Sequence, residues 1–151
     1  MYHSADACCT NLTWARPHLL LFDDDYRVFT LDPTTRAVRA IAGFSEFLVS
    51  PDGRWMAGFA GQPPELPETV GVVSLRKPGC LVVPHGTQET DEIAGFTRDS
   101  KSVIVGRTDL ESSGRPSRLV QFALSALHTA CPPSMLAPSK RSTGAVLGNA
   151  S

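Results

Sequence analysis

The residues best equipped for chemistry are four histidines, four cysteines and a short aspartate run, and their spacing does not assemble a catalytic centre. A serine hydrolase needs a nucleophile beside a base, often on a Gly-x-Ser-x-Gly turn. Residues 43–47 read Gly-Phe-Ser-Glu-Phe and keep only the first glycine, so Ser45 reads as a strand residue. His3, His18, His85 and His128 are scattered singly, with no second histidine at ligand spacing. Asp23, Asp24, Asp25 and Asp32 offer oxygen to a hard cation, but the Asp-x-Asp-x-Asp-Gly spacing of a calcium loop is absent, and a solvated hairpin connection is the simpler account. Neither glycine-rich phosphate loop occurs. Cys8, Cys9, Cys80 and Cys131 lack the Cys-x-x-Cys pairing that sets two thiolates on one zinc ion. No catalytic, cofactor-binding or metal-ligating residue is assigned, and no cofactor is expected.

The elements that would have to position such groups follow from composition. The chain has 151 residues, 42% hydrophobic and 19% charged. That length suits one domain, and the apolar share is enough to build a core. A net charge of −1 offers no basic surface for phosphate backbones or anionic lipid, so neither nucleic acid nor a membrane is an expected partner. The apolar run 19–22 is cut off by Asp23, far short of the roughly 20 residues a spanning helix needs. Residues 1–10 lack the basic-then-apolar order of a secretory signal. The cysteines tilt the location towards the periplasm or cell exterior rather than the cytoplasm, without fixing it. Twelve glycines and twelve prolines favour short elements joined by turns.

Self-similarity organises those elements. Residues 47–60 read Phe-Leu-Val-Ser-Pro-Asp-Gly-Arg-Trp-Met-Ala-Gly-Phe-Ala, and residues 95–108 read Gly-Phe-Thr-Arg-Asp-Ser-Lys-Ser-Val-Ile-Val-Gly-Arg-Thr. Both are strand, tight turn, basic residue, strand. Pro51 presets its φ, Asp52 can bond the backbone that follows, and Gly53 tolerates positive φ, so residues 50–53 form a β-turn. Asp99 and Ser100 stand at the same offsets, 47 residues on. Residues 12–22 are a fainter copy with Pro17-His18 at the turn. Alternating stretches ending at Leu31, Leu75 and Leu124 follow the hairpins at spacings of 44 and 49. A fourth element is expected at 35–41, 80–83 and, least clearly, 131–136. The tetrapeptide Ile-Ala-Gly-Phe at 41–44 and 93–96 is out of register with the turns and reads as coincidence. Residues 117–128 can also be read as a helix, but their place in the repeat favours strand.

The stretch 47–60 resembles the Ser-Pro-Asp-Gly turn of WD-repeat-like propeller blades, as in the TolB family and the propeller domains of some peptidases. Four strands per 40 to 50 residues match a propeller blade. The resemblance implies an all-β fold, a partial β-propeller of about three four-stranded antiparallel blades over residues 10–136 (10–43, 44–90 and 91–136), followed by a flexible tail at 137–151. Within it Trp14 and Trp55 are expected between blades, and Arg54 and Lys101 as exposed caps. Loops at 61–68 and 109–117 are expected to be long and exposed. Cys80 and Cys131 fall at matching places in consecutive units and are expected as unpaired thiols, with a bond as the alternative if their Cα atoms lie about 4.4 to 6.8 Å apart.

Three blades are fewer than the four to eight that close a ring. The resemblance therefore implies a fragment of a larger propeller, or a chain that associates with copies of itself or another protein through blade faces and loops. On that reading the chain is a non-catalytic protein-binding or assembly module. The alternative is the propeller portion of a peptidase-type hydrolase whose catalytic domain lies elsewhere.

Overall fold

The computed structural model describes residues 11–24, 27–60, 69–111 and 118–136. The described chain is all-β. Eleven strands form three antiparallel sheets, each a meander in chain order. The first sheet holds β1 (Leu12–Arg16), β2 (Leu19–Asp24), β3 (Arg27–Asp32) and β4 (Ala37–Ala42); the second holds β5 (Glu46–Val49), β6 (Trp55–Ala60), β7 (Thr69–Ser74) and β8 (Cys80–Val82). The third holds β9 (Glu89–Phe96), β10 (Ser102–Asp109) and β11 (Arg118–Ala123). The described part of the stretch that could also be read as a helix thus gives a strand, Arg118–Ala123, followed by a 3-10 turn at Leu124–Ala126. Among the described residues no helix is long and apolar enough to cross a membrane.

The second sheet is the middle layer and is buried on both faces. Successive side chains on a strand point to opposite sides. Met56 and Val73 accordingly face the first sheet's Leu21, Val28 and Ala42, while Ala57 and Val72 face Val103 and Val105 of the third. This is why β7 reads as an unbroken apolar run, Val-Gly-Val-Val, rather than as an alternation. Removing such a side chain from water contributes about 1.5 to 3 kcal/mol each, so the middle sheet carries the stack.

Phe44 shows how closely the first connection is fitted. It is fully buried over Gly58 and Gly71, which are direct partners across β6 and β7; a Cβ on Gly58 would overlap the Phe44 ring. Two glycines on paired strands make the hollow that accepts this aromatic side chain. The first copy of Ile-Ala-Gly-Phe spans the end of β4 and this connection, whereas the second lies within β9, so the two are not structurally equivalent.

The third sheet departs from the expected four strands. After β11 the chain makes two 3-10 turns, at Leu124–Ala126 and Pro133–Met135, and residues 131–136 form no strand. Pro132 and Pro133 have no N–H to give a ladder. Instead the segment turns back as a strap along the outer strand of the second sheet, with a bridge between Leu81 and Ala130, and reaches the first sheet, with a bridge between Ala42 and Leu136. Cys80 and Cys131, expected as free thiols, form a disulfide with Cα atoms 5.3 Å apart. The strap laid beside β8 by those backbone bonds is what brings the two sulfurs together.

Candidate functional site

Polar groups gather in two places, the hairpin ends and the connection between the second and third sheets. At the hairpin ends the second and third sheets share one design. In residues 50–55, Gly53 N–H donates to Ser50 O at 2.9 Å, Ser50 Oγ donates to Asp52 Oδ1 at 2.7 Å, the same Oδ1 accepts Arg54 N–H at 3.0 Å, and Trp55 N–H donates to Ser50 Oγ at 3.0 Å. Residues 97–102 repeat each bond with Thr97 for Ser50, Asp99 for Asp52, Ser100 for Gly53 and Lys101 for Arg54, at 2.8, 2.7, 3.0 and 3.0 Å. Gly53 and Ser100 both sit at positive φ, 68° and 59°. The hydroxyl two positions before the aspartate, Ser50 in one turn and Thr97 in the other, is what the two share, whereas the proline is not.

The hairpin ends also touch one another. Ser100 Oγ accepts Asp52 N–H at 3.1 Å, linking the third sheet to the second. Gly53 lies against Ala15 of the first sheet so closely that a Cβ would overlap the Ala15 carbonyl oxygen. In the first hairpin His18 takes the positive φ, 66°, after Pro17.

These environments tune the carboxylates. Burial pushes the Asp52 carboxyl up, but the Ser50 hydroxyl, the Arg54 amide and charge and the Ser100 hydroxyl outweigh it and hold it below its ordinary value. Asp99 is lowered by the Thr97 hydroxyl and then the Lys101 amide, and Asp32 by the amides of Thr34 and Thr35. Arg54 and Lys101 are exposed, as expected of hairpin caps.

The second gathering was not foreseen from the sequence. Arg107, nearly buried, grips the fully buried Asp91 through Nε to Oδ1 and Nη2 to Oδ2, both at 2.8 Å, and Nη2 also donates to Pro84 O at 2.7 Å. Its guanidinium lies 5.2 Å from the centre of the Phe122 ring. Glu89 completes the group. Its Oε2 is 3.5 Å from Arg107 Nη1 and accepts Gly86 N–H at 2.8 Å, and its Oε1 accepts from Arg118 at 2.6 Å. The Gly86 amide foremost, then the two arginines, hold the Glu89 carboxyl below its usual value, and the Asp91 hydrogen bonds raise Arg107. Two cations meet two anions here, and no buried side-chain polar atom lacks a partner among the described residues. The group fastens the 83–88 connection to the third sheet.

A bulge decides which carboxylate Arg107 meets. Ile104 pairs with Gly95 but Val105 with Ile93, so Ala94 is skipped and Asp91, not the exposed Glu92, stands opposite Arg107. Gly95 carries the required φ of 153°. A glycine inside a strand pattern was the available signal.

The remaining candidates stay apart. Ser45, expected as a strand residue, lies in the bend just before β5, where its Oγ donates to Phe59 O at 3.1 Å. His85 Nδ1 donates to Gly86 O at 2.7 Å, and its Nε2 lies 2.7 Å from Thr69 Oγ1. His18 Nδ1 lies 3.4 Å from Thr34 Oγ1, and His128 is exposed. Asp23 is buried and accepts from the backbone and side-chain nitrogens of Asn11. Among the described residues no three His, Cys, Asp or Glu side chains are grouped to hold a metal. Trp55 packs half-buried between the second and third sheets, but Trp14, expected between blades, is 59% exposed on the edge strand β1. His3, Cys8, Cys9, Asp25, the 61–68 loop, most of the 109–117 loop and the 137–151 tail lie outside the described residues. No protein-family model, curated protein or solved structure matches the chain.

Proposed function

We propose that the chain is a three-blade segment of a β-propeller and serves as a non-catalytic module for protein binding or assembly. The observation that carries this reading is the state of the two ends of the stack. On the face of the first sheet turned away from the second, Leu12 and Trp14 are 65% and 59% exposed, and on the corresponding face of the third sheet Leu119 is 74% exposed. Large apolar side chains on outward sheet faces favour a further protein surface against them. The hairpin ends in contact, one sheet to the next, suit the face-to-face order of consecutive blades.

Sedimentation of the full chain at tens of micromolar, with and without Trp14→Glu and Leu119→Glu, tests the reading. It predicts a mass above 16.2 kDa, or capture of a protein partner, that either substitution abolishes while strand content is kept. A well-folded 16.2 kDa monomer that recovers no partner contradicts it.

A further inference from the structure

The strap is held in a way that separates it from the sheets it crosses. Along residues 127–136, Val82 N–H donates to Thr129 O at 2.8 Å, Cys131 N–H to Cys80 O at 3.0 Å and Gly43 N–H to Met135 O at 2.9 Å. Met135 fills a place beside Gly71 in the core between the first two sheets, and Cys131 is buried in the same cluster. Between these anchors Thr129, Ala130, Pro132, Pro133 and Ser134 are exposed. The three sheets do not depend on the strap for their own ladders, and the core between the second and third sheets lies outside its reach apart from Leu127. One covalent bond, a few hydrogen bonds and one methionine therefore fasten a mostly exposed segment to a body that is otherwise complete.

We propose that the Cys80–Cys131 disulfide is a redox-operated clasp, whose reduction by a dithiol frees residues 128–136 while the three sheets stay folded. A thiolate of the dithiol attacks one sulfur, the Cys80–Cys131 bond breaks and a mixed disulfide forms. The second thiol of the reductant then displaces the cysteine. The reductant leaves as its own disulfide and both cysteines become thiols, two electrons and two protons having passed to the protein. Release uncovers the outer edge of β8 and the Met135 socket beside Gly71. This inference does not rest on the blade reading, because the strap and its bond remain whatever the stack binds.

Gly43 supplies a handle that leaves the sulfurs untouched. A Cβ there would overlap the Ser134 carbonyl oxygen, so Gly43→Ala pushes the strap away from its seat. The experiment is amide hydrogen exchange of the full chain, oxidised and in excess dithiothreitol. Reduction is expected to speed exchange at Gly43, Val82 and Cys131 by about 100-fold, with β10 amides changing less than about threefold, since local opening leaves the rest of the fold protected. The Cys80→Ser/Cys131→Ser protein is expected to show the reduced pattern without reductant, and Gly43→Ala to shorten the half-time of reduction. Unchanged strap exchange on reduction overturns the proposal, as does loss of protection in β10 together with the strap. Alkylation of both Cys80 and Cys131 in unreduced protein also overturns it.

Discussion

Ser100 Oγ accepts the backbone N–H of Asp52 at 3.1 Å, and this bond joins two hairpin ends that are built alike. The residue that occupies the glycine position of one turn thus serves as the acceptor for the other. Ser100 bears the cost of positive φ, which glycine would avoid, and in exchange anchors the neighbouring sheet.

Two substitutions at that position separate these effects. Ser100→Ala keeps the unfavourable φ and leaves the Asp52 amide without its acceptor, so a loss of about 1 to 3 kcal/mol is expected. Ser100→Gly loses the same bond but relieves about 1 kcal/mol of backbone strain, so it is expected to be the milder change. Urea denaturation of both proteins measures the order.

At Gly53 the two demands coincide. Positive φ and the Ala15 carbonyl oxygen both exclude a side chain. Gly53→Ala is expected to cost more than about 1 kcal/mol, the strain alone, because the second hairpin must also back away from the first sheet. Thermal unfolding monitored by circular dichroism gives the value.

The Arg107–Asp91 pair is buried, so breaking it differs from replacing it. Asp91→Ala removes both short bonds to the buried guanidinium, leaving it Pro84 O and the more distant Glu89, and is expected to destabilise by about 3 kcal/mol. Asp91→Leu with Arg107→Met removes both charges and is expected to cost clearly less than the single change. A double-mutant cycle in urea reports the coupling.

Acid should loosen the hairpin ends and the 83–88 connection together. Asp32, Asp52, Glu89 and Asp99 are all held below their ordinary values. Each therefore binds fewer protons folded than unfolded, and its contribution is fully present above the unfolded value, near pH 4, and lost as pH falls from there through the native value. Urea midpoints measured from about pH 6 to about pH 3 are expected to fall, and Asp99→Asn is expected to flatten part of that decline.

Strand identity was largely legible because the turns announce themselves. Pro51, Asp52 and Gly53 each have a local reason to be where they are, and the alternating stretches ending at Leu31, Leu75 and Leu124 locate the third strand of every sheet. What depends on register was not legible. The bulge at Ala94 chooses Asp91 over Glu92 for Arg107, and no window of sequence shows which carboxylate will be opposite. The strap escaped for a related reason. Cys131 and Leu136 occupy the place of a fourth strand in the repeat, and only Pro132 and Pro133 argue against it. Trp14 was misplaced because strand membership does not tell whether a neighbour covers that face.

The most direct test of the stacked hairpins is a proton-proton nuclear Overhauser spectrum of the isotopically labelled chain. The account predicts cross-peaks from the Asp52 amide proton to the Ser100 β protons and from the Gly53 α protons to Arg16. Strong hairpin cross-peaks within residues 50–55 and 97–102, with none between these segments, would contradict it.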